Sequence, residues 1–338
     1  MTVSIIIAVK TWQKNLEECV NNCLKLDFSE FEIIILPDDP IDRDSLQIGG
    51  AVPIKIIPTQ AINPARKRDI AITRAKGEIL AFLDDDAYPD RAWLKNALIN
   101  FADQEIAAVG GPAITPPSDS LEQKASGLIY ASVLVSGTNL SCRYSQQMPR
   151  KEVVDFPSCN FLVRKSIMVE LGGFNTNFWP GEDTKLCLDI IKLGKKIIYD
   201  PNVLVYHHRR KVFKPHLNQI ANYALHRGYF VKRYPETSLK ITFFLPSLLL
   251  LGVLVGGLLS IFISSLRNIY ILAIFLYIIL VSISSIFNGL KEKEMRLNLG
   301  QKVILIGDVF AGIILTHLCY GFFFIKGLLA KKLKEGAG

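Results

Sequence analysis

Residues 79–90 read ILAFLDDDAYPD. An apolar run climbs through Phe82 and Leu83 and then meets three consecutive carboxylates, Asp84, Asp85 and Asp86. Neighbouring like charges repel, so such a concentration calls for a cation or a set of donors. The run before them, Glu78–Leu83, has the near-continuous apolar pattern of a strand buried on both faces. Outward from it the same pattern recurs at Val3–Val9, Phe31–Leu36 and Val52–Ile57. Helical spacing separates these runs at Asn15–Leu26, at Pro64–Ala75 with Pro near its first turn, and at Pro89–Phe101. Strand–helix alternation of this kind predicts an α/β fold, a mostly parallel sheet flanked by helices.

In such sheets ligands bind beyond the carboxyl ends of the strands. Asp38 and Asp39 follow the second strand, and Asp84 to Asp86 end the fourth. The chain contains neither GxGxxG nor GxxxxGK[ST] to cradle phosphates. A nucleotide held here would need a divalent metal, and hard carboxylate ligands suit Mg²⁺ or Mn²⁺. Further on, Asn160–Arg164 reads as a short strand and Ser166–Leu171 as a helix stopped by Gly172 and Gly173. Thr184–Leu193 reads as a helix, which leaves Glu182 and Asp183 at its N-terminus, where the helix dipole favours an ionised base. Residues 115–150 look like a variable insertion.

The 338 residues carry a net charge of +8 and are 50% hydrophobic, unevenly distributed. Residues 241–263, 268–287 and 303–325 are apolar runs, the first two without a charge and the third containing Asp308 and His317. Each is long enough to cross a ~30 Å hydrocarbon core. Val205–Lys240 carries eight Lys/Arg against one acid, a basic cluster that reads as a positive-inside anchor and a contact for membrane lipids. Aromatic residues are not interleaved with it as a stacking platform, so nucleic acid is not expected as a partner. The N-terminus lacks a signal-peptide pattern, which predicts a cytosolic globular part. The six Cys show no metal-ligand spacing and read as reduced thiols. Orientation stays open: three crossings would put Lys326, Lys331, Lys332 and Lys334 outside, and the stretch with Lys291, Lys293, Arg296 and Lys302 is equally basic. Either the third run is re-entrant or interfacial, or the charge rule is weakly obeyed.

SIIIAVK, PDD, NPARKRD, FLDDDAYPD, LGGF and PGEDTKLC occur in this order. Together they resemble the inverting family-2 glycosyltransferases with the GT-A fold, over about residues 2 to 235. The resemblance implies a GT-A, Rossmann-like catalytic domain at 1–235 on the cytoplasmic face. A membrane domain at 236–338 with C-terminal transmembrane helices would anchor it in the cell membrane. It implies transfer of a sugar from a nucleotide-sugar donor to a lipid-linked or glycan acceptor in cell-surface polysaccharide synthesis. Asp38 or Asp39 would contact the nucleobase, Arg66 and Arg68 the donor, and Asp84 and Asp86 the metal, with Asp85 between them. Asp183 would be the base and Glu182 its neighbour. Either of His207 and His208 could complete the metal shell, and Trp179 could stack on the acceptor. The chain has HRGYFVKRYP where polymerising members carry QxxRW, so Arg227 would play a related donor-closing part. Two other readings stay open, a polyprenyl-phosphate glycosyltransferase, whose anionic acceptor needs no base, and a non-catalytic nucleotide-binding membrane protein.

Overall fold

The computed structural model describes residues 1–41, 52–291 and 297–333. Lys293, Arg296 and Lys334 lie outside the described residues. The chain divides into two compact units, 1–114 with 145–208, and 115–144 with 209–333.

The first unit is built on an eight-stranded sheet in the order β3-β2-β1-β4-β9-β6-β10-β8. The strands are β1 Val3–Ala8, β2 Phe31–Leu36, β3 Ile54–Ile56, β4 Ile79–Asp84, β6 Ile106–Gly110, β8 Lys151–Val153, β9 Asn160–Arg164 and β10 Lys196–Tyr199. β3, β2, β1 and β4 run parallel, as do β6 and β10, whereas β9 runs antiparallel to both β4 and β6. A second sheet has the order β5-β11-β7, with β5 Ala87–Pro89, β7 Ala113–Ile114 and β11 Val205–His207. Helices α1 Lys14–Cys23, α2 Pro64–Arg74, α3 Trp93–Asn100, α6 Lys165–Leu171 and α7 Glu182–Lys192 belong to the same unit, while α4 Leu121–Ala131, α5 Val133–Leu140 and α8 Lys214–Arg233 belong to the other.

The expected strands and helices are present, and two findings go beyond them. A helix is expected from Pro89, but Ala87–Pro89 is a strand and α3 begins only at Trp93. Ala87 and Tyr88 pair with β11, and that long-range ladder overrides the helical pattern. Most of the stretch read as an insertion forms α4 and α5, which pack with the apolar C-terminal helices. Ala125 and Ile129 supply the apolar face that makes this possible.

Strands β1, β2 and β4 are buried on both faces, and their side chains fill the core with Trp93, Phe101, Leu16 and Val20. Asn160 joins the two sheets: its side chain accepts from Trp93 Nε1 at 2.8 Å and donates to Pro112 O and Val203 O at 3.1 and 2.7 Å. All six cysteines are free.

Among the described residues the second unit contains three helices long and apolar enough to cross a membrane: Ile241–Phe262, Ser264–Leu290 and Leu299–Leu329. A single residue, Ile263, separates the first two.

Gly111 lies between β6 and β7, where a Cβ would stand 1.7 Å from the backbone oxygen of Val203. Gly111→Ala must therefore push apart the segment that seats β11. We expect a loss of about 1–3 kcal/mol, read as a lower midpoint in chemical denaturation. An unchanged midpoint would mean that this close approach is dispensable.

Candidate active site

Helix α2 gathers the site. Asn63 caps it by accepting from Arg66 N at 2.9 Å, and Pro64 opens it with a preset φ. Its buried positions include Ala65, Arg68, Ala71 and Ile72 at helical spacing, with Lys67 beside them, so two cations sit on the face that packs inward. Each of four consecutive residues reaches a different part of the chain. Arg66 donates through Nε and Nη2 to Asn177 Oδ1 at 2.9 and 2.7 Å. Lys67 donates to Val9 O at 2.5 Å, to Leu36 O at 3.2 Å and to Asp38. Arg68 donates to Asp84 Oδ1 and to Glu182 Oε1, both at 2.9 Å, and lies 5.6 Å from the Phe174 ring centroid. Asp69 accepts from Phe174 N at 2.7 Å.

Asp84 ends β4, and Asp85 and Asp86 form the tight turn to β5. Antiparallel pairing sets His207 of β11 opposite Ala87, directly after the turn, and His208 N donates to Asp86 O at 2.9 Å. That register brings His207 Nε2 to 3.0 Å from Asp86 Oδ1. One ligand atom each from Asp84, Asp86 and His207 lie within 4.8 Å of one another. Two carboxylate oxygens and one imidazole nitrogen at that spacing fit Mn²⁺ or Mg²⁺. Strand alternation sends the next side chain elsewhere: His208 Nε2 is 2.9 Å from Glu18 Oε2. Asp85 takes a hydrogen bond from Gln13 Nε2. Burial, with Asp86 and Asp84 beside it, pushes its carboxyl up to about 6.

Gly181 precedes α7 with φ 114°, a conformation that only glycine adopts readily, and turns the chain so that Glu182 and Asp183 form the first turn. Glu182 is buried, and burial together with the charge of Asp183 pushes its carboxyl up to about 7, against the pull of Arg68. For Arg68 burial opposes the charge, but Asp84 and Glu182 outweigh it and raise its pKa. Asp183 is more accessible than Glu182, and its Oδ1 accepts from Thr184 N at 2.7 Å.

The sequence-expected residues thus separate into groups. Asp84, Asp86 and His207 come together, and Arg68 joins Asp84 to Glu182. Arg68 is engaged by protein carboxylates, not turned outward to a donor as the resemblance implies. Asp38 is held by Lys67, Asp39 is exposed, and Trp179 is half exposed on the loop before α7. Arg227 belongs to the other unit, where it is buried with its guanidinium 5.0 Å from the Tyr223 ring centroid and 4.8 Å from that of Phe243. Lys67, Asp69 and Asn177 escaped sequence reasoning. For Lys67 a signal existed: it shares the inward side of a helix whose other inward residues are mostly small or apolar.

Residues 4–172, half of the chain, match the sequence family described as Glycosyl transferase family 2. The chain belongs to that family. Two curated relatives frame it. A pre-mycofactocin glycosyltransferase of Mycobacterium tuberculosis is 26% identical over 69% of this chain, which spans only 48% of that relative's length. A dolichyl N-acetyl-alpha-D-glucosaminyl phosphate 3-beta-D-2,3-diacetamido-2,3-dideoxy-beta-D-glucuronosyltransferase of Methanococcus voltae is 23% identical and covers 97% of both chains. Among solved structures, a mannosyltransferase of Pyrobaculum calidifontis superposes with a TM-score of 0.55 at 16% identity, covering 98% of this chain and 88% of that one. Together with the sheet order, these likenesses identify a GT-A fold followed by three C-terminal helices capable of spanning a membrane.

Two predictions follow from the Arg68 bridge. Arg68→Ala leaves Glu182 buried beside Asp183 without its cation, which costs about 3–5 kcal/mol. Adding Glu182→Gln should restore part of that loss in denaturant titration, whereas strictly additive losses would disprove the coupling. The second concerns pH. The folded pKa of Glu182, about 7, lies above the ordinary 4.5. The folded state therefore holds this proton more tightly than the unfolded chain, so the contribution is complete below pH 4.5 and lost as pH rises through 7. Glu182→Gln should flatten the fall of unfolding free energy in that window, and an unaltered slope would contradict the assignment.

Proposed function

We propose that the protein is a membrane-bound, inverting, metal-dependent glycosyltransferase. It would move a sugar from a nucleotide-sugar to a hydroxyl of a lipid-linked or glycan acceptor in cell-surface glycan synthesis. The observation that carries this reading is the Asp84–Asp86–His207 group, joined through Arg68 to the helix that begins with Glu182 and Asp183.

Asp84, Asp86 and His207 would hold Mg²⁺ or Mn²⁺. When bound, the ion supplies positive charge against the negative charge that develops on the departing diphosphate. Asp38, steadied by Lys67, and the exposed Asp39 and Arg66 are the groups available to the nucleotide. Asp183 is the base. An acceptor hydroxyl has a pKa far above neutrality, so a carboxylate must take its proton as the new bond forms. Asp183 suits that task better than Glu182, which is buried against Arg68 and is favoured in its neutral form. Trp179, half exposed just before α7, offers a ring face to an acceptor sugar.

Two relatives support the reading. The Methanococcus voltae protein, similar from end to end, is named for transfer to a sugar on dolichyl phosphate. The Pyrobaculum calidifontis enzyme was solved with GDP-Man and Mn²⁺. The three apolar helices and the basic residues before them support a place in the cell membrane, with the catalytic domain on the cytoplasmic side. Those same helices keep a second reading in view, direct transfer to a polyprenyl phosphate.

Release of nucleoside diphosphate by purified protein, measured across a panel of nucleotide-sugars with and without Mn²⁺, tests the proposal. Asp86→Ala should lower metal-dependent release by at least about 100-fold. Asp183→Asn should lower transfer to a hydroxyl acceptor by about 10²–10⁴-fold. Full turnover in Asp183→Asn with loss in Asp86→Ala would favour the polyprenyl-phosphate acceptor. Silence of the unaltered protein across the panel would favour a binding role without catalysis.

A further inference from the structure

The helix Leu299–Leu329 keeps different company from the other two long apolar helices. Helix α8 runs parallel to its C-terminal half for nearly the whole length of α8. His216 Nε2 meets Thr316 Oγ1 at 3.0 Å, Cys319 Sγ donates to Leu217 O at 3.5 Å, and Lys232 Nζ donates to Ala330 O at 2.7 Å. Glycines let the two backbones touch: a Cβ on Gly228 would lie 2.1 Å from Phe324 O, and one on Gly327 would lie 2.0 Å from Leu225 O. The N-terminal half carries α4, whose Ala125 and Ile129 pack with Leu305, Val309 and Ile313. Ile129 also covers Gly312.

Both partner helices turn polar faces outward. On α8 the exposed residues include Lys214, Asn218, Gln219, Asn222, Lys232 and Arg233. On α4 it is Glu122, paired with Lys211 at 2.9 Å, with both side chains more than half exposed. Crossing hydrocarbon takes ~20 residues. A crossing set toward the N-terminal end of this 31-residue helix would immerse α4 and its Glu122–Lys211 pair. One set toward the C-terminal end would immerse Asn218, Gln219 and Asn222. Moving exposed charged and amide side chains from water into hydrocarbon costs several kcal/mol even where some are paired, as Glu122 is with Lys211 and Gln219 with Tyr130, so neither placement is stable.

The remaining exposed residues are mostly apolar, Leu299, Val303, Ile304, Leu315, Phe322 and Leu329, with Gln301, Lys302 and Lys326 toward the two ends. A helix backed by polar partners on one side and apolar on the other suits the boundary between headgroups and acyl chains. The helix also bridges the two others. His317 Nδ1 is 2.9 Å from Tyr277 OH, fourteen residues beyond Ile263, and Gly321 O accepts at 3.0 Å from Ser247, sixteen residues before it. Contact with the second helix continues at Gly289, packed on Ile306.

We propose that Leu299–Leu329 lies along the membrane interface, and that only Ile241–Phe262 and Ser264–Leu290 enter the hydrocarbon, as a hairpin that returns to the side from which it started. Lys240, Lys302, Lys326, Lys331 and Lys332 then share one side, where anionic headgroups attract them. This removes the charge conflict that three crossings create. The proposal rests on the reading that these apolar helices sit in a lipid bilayer.

The test uses the full chain carrying Cys319→Ser, with Lys302→Cys or Lys332→Cys at either end of the helix. Fractionation comes first: release of the protein from membranes by alkaline carbonate would defeat the membrane reading itself. In sealed vesicles of known orientation, a membrane-impermeant maleimide should modify both positions from the same side. Modification from opposite sides overturns the proposal. Spin labels at Ile304, Leu315 and Phe322 give an independent measure of depth. The proposal expects similar shallow depths at all three, whereas a steady change of ~1.5 Å per residue between them would overturn it.

Discussion

The guanidinium of Arg68 is the joint on which the site depends. It is buried, it touches one carboxylate at the sheet edge and one at the start of α7, and both contacts are 2.9 Å long. Arg68 and Glu182 are both taken out of water, with Asp84 partly exposed beside them, and the two are stable only together because a lone buried charge costs several kcal/mol. Under the proposed reaction the arrangement would also have a chemical use: in a displacement at a sugar carbon, the groups facing the departing diphosphate and those facing the attacking hydroxyl would have to be held at a fixed separation. A planar, two-pronged donor that fixes Asp84 and Glu182 at once sets that separation more firmly than a flexible ammonium would.

Much of the first unit was legible in the sequence because its strands are buried on both faces. Val3–Ala8, Phe31–Leu36 and Ile79–Asp84 read as continuous apolar runs, and their carboxyl ends point to the acidic clusters. The short strands were not legible. Ala87–Pro89 and Val205–His207 are strands because they pair with each other across more than a hundred residues, and no local pattern encodes that pairing. For the same reason the sequence could not choose between His207 and His208, which strand register separates cleanly. Arg68 was noticed for its charge, but its carboxylate partners, one of them 114 residues away, are encoded in no local pattern.

The second unit shows how composition informs and misleads. Apolar length correctly picks out three helices, but length describes only what a helix can do. What a helix does in a bilayer depends on its neighbours, and here α4 and α8 bring polar surfaces that hydrocarbon rejects. Residues 115–150 look like an insertion in the sequence because the partners of 115–144 lie nearly two hundred residues further on. In the fold 115–144 form one unit with 209–333.

The reach of helix α2 has a consequence for the order of assembly. Arg66, Arg68 and Asp69 find partners 111, 114 and 105 residues downstream. During synthesis the helix and its sheet neighbours are complete long before those partners emerge. Until Glu182 has left the ribosome, Asp84 is the one of Arg68's two carboxylate partners already made, and until Phe174 has followed, Asp69 lacks the backbone donor it accepts from. Contacts of such long sequence separation form slowly. The edge that α2 lines is therefore completed only after α7 has emerged, and a chain interrupted before α7 would lack Glu182 as well as β10 and β11.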